Sequence, residues 1–313
     1  VNSVPDVTPP AAANLLSVVS VSLGSSSRDH TAHATLLGRE FAIERRGVNG
    51  DLVAARQLIC ELDGKVAAIG LGGIDLYVVA GNRRYIMRDA ARLAAAAKQT
   101  PVVDGSGLKD TLERATIRRL QSEGTLDFQG KNILVVSAVD RFGMAEELAK
   151  TGGRVTYGDF MFILGLPIPM RTMAAVRQAA RVILPAACRL PFKMLYPTGE
   201  KQKEVRSDSA QARWIAQADI IAGDFLLIRR YLPTRLDGKT IITNTVTKAD
   251  IDLLRERGLA RLVTTTPEFG GRSFGTNVME GIFAALGART TDEYRSMLEK
   301  LDWQPRIIEL ANT

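Results

Sequence analysis

The stretch Val102-Val-Asp-Gly-Ser-Gly-Leu-Lys109 sets an acid, Asp104, at the end of a short apolar run and an amine, Lys109, at the start of a helix. A carboxylate and an ammonium placed this closely tune each other's pKa and can pass a proton to or from a substrate oxygen. The positive end of the helix dipole is expected to lower Lys109 toward a usable base, with Asp104 holding the amine in place. A purely structural Gly-Ser-Gly turn is the competing reading. His30 is the next acid/base candidate, because its charge changes near neutral pH. It closes Leu23-Gly-Ser-Ser-Ser-Arg-Asp-His30, where Ser25, Ser26, Ser27 and Arg28 offer hydroxyls and a guanidinium to a polyhydroxylated or anionic substrate.

A second constellation suits a dinucleotide. Gly130-Lys-Asn-Ile-Leu-Val-Val-Ser-Ala-Val-Asp-Arg-Phe-Gly143 reads as strand, tight turn and helix, with Ser137, Ala138, Asp140, Arg141, Phe142 and Gly143 lining the turn. A pyrophosphate would rest on the helix N-terminus. Asp159 follows Ser137 by 22 residues, close to the spacing of a ribose-binding acid. Asn244 and Thr245, just past a later strand, are assigned to the nicotinamide side. NAD is the expected cofactor, with NADP the alternative. A plain βαβ unit with a surface acid would explain the same residues. His30 and His33 have no cysteine or third histidine beside them, so no metal is expected.

These groups need parallel strands to bring them to one edge. The chain alternates short β-branched runs with helical segments, which implies parallel sheets with right-handed crossovers. The expected fold class is α/β with two domains. Residues 17–128 form an α/β substrate domain. Residues 129–270 form a Rossmann-like parallel-sheet domain carrying a helical basic insertion over 160–215. C-terminal helices occupy 271–313, and 1–16 reads as a flexible leader.

The chain has 313 residues, 46% of them hydrophobic and 24% charged, which excludes dominant disorder. Two cysteines cannot build a disulfide framework, and a cytoplasmic location is expected. No run is long enough to span a membrane, and no membrane partner is expected. The net charge is +7, and between Arg171 and Arg206 eight basic residues face only Glu200 and Glu204. Such a patch attracts a dinucleotide, a carboxylate, nucleic acid or a lipid surface, unless it is merely a solvated helix face.

Five blocks carry a family resemblance: Val19–His30, Gly70-Leu-Gly-Gly-Ile-Asp-Leu-Tyr77, Val103–Lys109, Ser137-Ala-Val-Asp-Arg-Phe-Gly-Met144 and Arg272-Ser-Phe-Gly-Thr-Asn277. Over roughly residues 17–285 the chain resembles bacterial proteins labelled quinate 5-dehydrogenase, and distantly the shikimate and quinate dehydrogenases. The resemblance implies NAD(P)-linked oxidation of a ring hydroxyl of quinate to 3-dehydroquinate, with substrate domain first and cofactor domain second. Asp75 and Asn277, inside these blocks, join the substrate set. The chain departs from those enzymes at the glycine-rich cofactor turn and at the lysine-bearing segment after the first strand. Lys109 therefore rests on its own surroundings. The expected partner is a small polyhydroxy carboxylate, and a homodimer fits as well. The competing function is a non-enzymatic ligand sensor or nucleic-acid binder on a degenerate Rossmann scaffold.

Overall fold

Leu15–Ser22 (β1) is the centre of the first sheet because Val18, Val19 and Val21 can bury on both faces. The computed structural model describes residues 15–81, 83–191, 206–244, 246–266, 268–269, 272–273 and 275–310. The leader, apart from Leu15 and Leu16 in β1, lies outside them. So do Thr245 and the lysines at 193, 201 and 203.

The first sheet has the order β2-β3-β1-β4-β7. It comprises His30–Leu36 (β2), Arg39–Gly47 (β3), β1, Ala68–Gly72 (β4) and Val102–Val103 (β7). β1 runs parallel to β3 and β4, β4 runs parallel to β7, and β2 returns antiparallel along β3. Leu52–Leu62 (α1) connects β3 to β4, its first turn capped by Asp51, which accepts Val53 N at 2.8 Å and Ala54 N at 3.1 Å. Tyr77–Ala80 (β5) and Arg83–Ile86 (β6) form a hairpin, followed by Arg88–Ala94 (α2).

The second sheet has the order β15-β12-β11-β10-β8-β9. Asn132–Val135 (β8), Arg154–Tyr157 (β9), Ile220–Ala222 (β10), Thr240–Thr243 (β11) and Arg261–Thr264 (β12) are parallel; the short pair Glu268–Phe269 (β13) and Arg272–Ser273 (β14) stands apart, and Arg306–Glu309 (β15) is antiparallel at the edge. The chain reverses direction across this sheet between β8 and β10, the switch point where open α/β sheets hold ligands. The predicted two-sheet α/β architecture is present.

Ser106–Ser122 (α3) runs from the end of β7 toward the second sheet and packs against Phe142–Leu148 (α4). Thr276–Ala285 (α10) and Thr291–Lys300 (α11) return to the first sheet: α10 covers β1, β4 and β7, and α11 lies on α3. Between them in sequence lie Asp159–Phe162 (α5), Met173–Ala187 (α6), Ala210–Gln217 (α7), Phe225–Arg230 (α8) and Lys248–Glu256 (α9). Helix α6 buries Val176, Ala180 and Leu184, four residues apart on one face. Its end reaches the start of α2, where Arg88 N donates to Cys188 O at 3.0 Å, and the β5–β6 hairpin, where Cys188 Sγ lies 3.8 Å from Tyr85 O. The basic insertion is thus in part a strap between the two lobes.

Candidate active site between the two sheets

Asp75, Asp104, Asp140, Asp224 and Asn244 each lie one to five residues past a parallel strand, the first two on the first sheet and the rest on the second. Lys109, in the first turn of α3, connects them. Its Nζ donates to Asp75 Oδ1 at 3.3 Å and to Asp140 Oδ1 at 2.8 Å. From Asp140 the polar chain continues: Arg141 Nε lies 3.1 Å from Asp140 Oδ2, and Arg141 Nη2 donates to Asp224 Oδ2 at 3.3 Å. Asn244 Nδ2 donates to the same Asp224 oxygen at 3.3 Å. Arg141 also forms a fully buried pair with Glu113, one helical turn after Lys109 on α3. A small cleft of about 20 Å³, room for one water, opens beside these groups between Tyr77, Ser106, Lys109, Glu113, Asp140 and Phe142.

The electrostatics differ from the expectation for Lys109. Burial acts to lower its pKa, but the Asp140 and Asp75 carboxylates outweigh burial and hold it above the ordinary lysine range. The half-charge of a helix terminus cannot compete with two full charges in contact. Lys109 is an ammonium here, not a depressed base. Burial pushes the Asp75 carboxyl up to about 6, against the pull of Lys109. Asp140 is penalised by the same burial, yet Lys109 and Arg141 keep it well below the carboxylate range. Glu113 is pushed up to about 7 by burial in spite of Arg141.

Asp104 does not pair with Lys109. Its carboxylate accepts Leu76 N at 2.5 Å, Ser106 N at 3.2 Å and the Ser106 hydroxyl, so it ties the β4–β5 connection to the start of α3. Asp75 is the partner instead, although it was expected to contact substrate. His30 begins β2, at the opposite edge of the first sheet from β7. Four strand spacings separate those edges, roughly 19 Å, so His30 does not join the Lys109 site. Its Nδ1 lies 2.9 Å from Arg28 O. Ser25, Ser26, Ser27 and Arg28 form an exposed 3-10 turn at the carboxyl end of β1, with Asn49 and Arg45 holding its backbone. Asn277 begins α10 and donates to Ser20 Oγ at 2.8 Å, beneath the same sheet edge.

In the β8 turn, Asp159 is buried, and its carboxylate accepts Ala138 N at 3.1 Å and Val139 N at 2.8 Å. Burial raises its pKa to about 6 despite those bonds. Ser137 and Ala138 are buried in the turn. Gly143 sets the close approach of α4 to α3, because a Cβ there would meet the backbone oxygen of Asp110 at 2.8 Å. Phe142 is buried beneath Arg177, whose guanidinium lies 5.8 Å from the ring centroid. Glu113 was missed in the sequence. Its spacing from Lys109 along one helix is the signal that marks it.

A family model described as a domain of unknown function, DUF8754, matches residues 107–310. The chain belongs to this family. The model described as DUF8753, also a domain of unknown function, matches residues 17–104, so the two models meet at the Asp104–Lys109 segment. The comparison with curated proteins finds no match. Among solved structures the chain is similar to a sugar-transport substrate-binding protein of Bordetella parapertussis, with 11% identity, 95% of this chain and 91% of that chain covered, and a TM-score of 0.36. It is similar also to a methylenetetrahydrofolate dehydrogenase-cyclohydrolase of Trypanosoma brucei solved with NADP and an inhibitor, with 11% identity, 92% and 87% coverage and a TM-score of 0.34. An L-tryptophan dehydrogenase of Nostoc punctiforme gives 9%, 92%, 79% and 0.36 in the same order. These overlaps are too loose to carry an activity from one chain to another.

Proposed function

We propose that this DUF8754 member is an NAD(P)-dependent oxidoreductase that interconverts a hydroxyl and a carbonyl on a polyhydroxy carboxylate such as quinate. The observation that carries the reading is Lys109 Nζ, held by one carboxylate from each sheet at the facing strand ends. A proton-transfer group at the junction of a substrate lobe and a dinucleotide lobe is what such a reaction requires. Asp159 supports the cofactor assignment. Each of its oxygens accepts one amide and keeps a second lone pair, so a ribose diol could be added without breaking either bond. The same charge would repel a 2′-phosphate, which favours NAD over NADP. Ser137–Gly143 would hold the pyrophosphate, and Asn244 would face the nicotinamide.

Bound NAD would supply the hydride acceptor. Lys109, as an ammonium, would donate a hydrogen bond to the reacting substrate oxygen. Lys109 would first pass a proton to Asp75, which is ionised near neutral pH and stands 3.3 Å away, and the lone pair so freed on Nζ would take the hydroxyl proton as the hydride leaves. Asp140 would keep the amine oriented throughout. Ser25–Arg28, at the carboxyl end of β1, would bind the hydroxyls and carboxylate of the substrate.

Calorimetric titration with NADH and NADPH, followed by quinate oxidation assays, tests the reading. NADH should bind more tightly. Lys109→Met should lower turnover by about 10²–10⁴ while leaving NADH affinity within about twofold. Absence of binding by both nucleotides, or full activity in Lys109→Met, would overturn it.

A further inference from the structure

The fold brings together two basic segments that are far apart in sequence. Residues 83–98 carry Arg83, Arg84, Arg88, Arg92 and Lys98 against Asp89 alone, and residues 171–191 carry Arg171, Arg177, Arg181 and Arg189 with no acid. Their combined surplus exceeds the chain's net charge of +7, so the remainder is close to neutral. The residue after α6, Cys188, meets the start of α2 at the Arg88–Cys188 backbone bond and the β5–β6 hairpin at Tyr85, whose O lies 3.8 Å from Cys188 Sγ. Arg83, Arg84, Arg88, Arg181 and Arg189 are all exposed. Among the described residues none of the five has a carboxylate within ion-pair distance, whereas Arg92 meets Asp89 at 3.8 Å.

Large aliphatic side chains stand among these arginines. Ile86 is 64% exposed, Val182 75% and Leu190 40%. Beside guanidiniums that have no carboxylate partner, on segments that touch each other, such side chains add an apolar component for a partner to meet. Guanidiniums interspersed with aliphatic groups match an anionic lipid surface, where headgroups take the charge and the acyl boundary takes the apolar tips. A single-strand binder would instead present aromatic rings for stacking, and a duplex binder would need the guanidiniums but not the exposed aliphatic groups. Here the Tyr77 ring is covered by Arg84, at 4.9 Å from the centroid, and the Tyr85 hydroxyl is buried. No helix among the described residues is long and apolar enough to cross a bilayer.

We infer that the face made by the β5–β6 hairpin and the end of α6 docks peripherally on an anionic lipid surface. The inference stands apart from the proposed chemistry, because Lys109 and its partners take no part in it.

Co-sedimentation of the full chain with phosphatidylcholine vesicles, with and without phosphatidylserine, tests the inference at low and high salt. The chain should sediment only with phosphatidylserine present, and salt should release it. Arg88→Glu combined with Arg189→Glu should lower the bound fraction about tenfold, since each guanidinium near the surface contributes. Val182→Asp should also weaken sedimentation, with an unchanged melting temperature in each variant, because all three positions are exposed. Failure to sediment with phosphatidylserine vesicles, equal sedimentation with neutral ones, or displacement from vesicles by duplex DNA at lower concentration would overturn it.

Discussion

Lys109 is kept charged by two carboxylates, and that dependence runs both ways. Its removal in Lys109→Met leaves Asp75 and Asp140 close together in a half-buried space, with Arg141 beside Asp140 as the remaining cation and none beside Asp75. One must take a proton or the fold must loosen. The folded pKa of that pair then rises above its unfolded value. The sign follows: the variant is relatively stable at acidic pH and loses stability as the pH rises through the raised value. The melting temperature of Lys109→Met should therefore fall further below wild type at pH 8 than at pH 5. A deficit independent of pH would mean that the two carboxylates are not coupled through the amine. The same measurement separates a catalytic loss from an unfolded sample.

At the scale of elements, α3 is the part on which the site depends. It starts at Gly105, whose φ of +92° is costly for any residue with a side chain. A Cβ there would also meet Asn277 N at 2.5 Å, in the first turn of α10. Gly105→Ala should therefore disturb both the α3 start and the seating of α10, lowering stability by about 2 kcal/mol or more. Gly143→Ala acts at the other end of the assembly, where α4 would be pushed from Asp110 on α3. Overpacking of this kind costs about 1–3 kcal/mol. Its distinctive effect should be a shift of Asp140 relative to Lys109. Thermal melts report the stability losses, and turnover reports the displacement. A Gly143→Ala protein with wild-type melting and turnover would show that the α3–α4 contact is not close.

Considered whole, the two sheets share one core. Val19, Val21 and Leu71 of the first sheet and Ile133, Val135 and Tyr157 of the second belong to a single buried cluster, together with Val176, Ala180 and Leu184 of α6. Helices α10 and α11 come from the C-terminal part of the chain and complete the first lobe. A single calorimetric transition is expected, and two well-separated transitions would contradict the shared core. The pH dependence of that transition follows from four carboxyls, three of them buried and Asp75 half-buried. Asp75 and Asp159 are raised to about 6, and Glu113 and Glu280 to about 7. Each folded value lies above the unfolded one. Their contribution is present below the unfolded pKa and lost as pH rises through the folded values. Glu147, lowered to about 2 chiefly by Arg118 and Lys150 against its burial, loses its contribution only as pH falls toward that value. The melting temperature should thus decline between about pH 5 and pH 8. A flat or rising profile across that interval would show that folding does not raise these carboxyls.

Local pattern was enough for the parallel strands, most helices and the residues at strand ends, but not for β2 or for β15, which lies in a stretch expected to be helical. Hydrophobic alternation, the Asp51 cap and the Gly-Ser-Gly turn act within a few residues of themselves. Lys109, Asp140 and Arg141 were legible as reactive types in suitable turns. Their mutual contacts were not, because Lys109 and Asp140 are 31 residues apart and meet only when α3 brings β7 to β8. The His30 segment was misjudged for a related reason. His30-Thr-Ala-His-Ala-Thr-Leu36 has too little apolar character to declare a strand, and it becomes one by pairing with β3 at the sheet edge. The direction of the Lys109 shift was likewise beyond the sequence: a nearby dipole is visible in the chain order, but contact charges from two lobes exist only in the folded molecule.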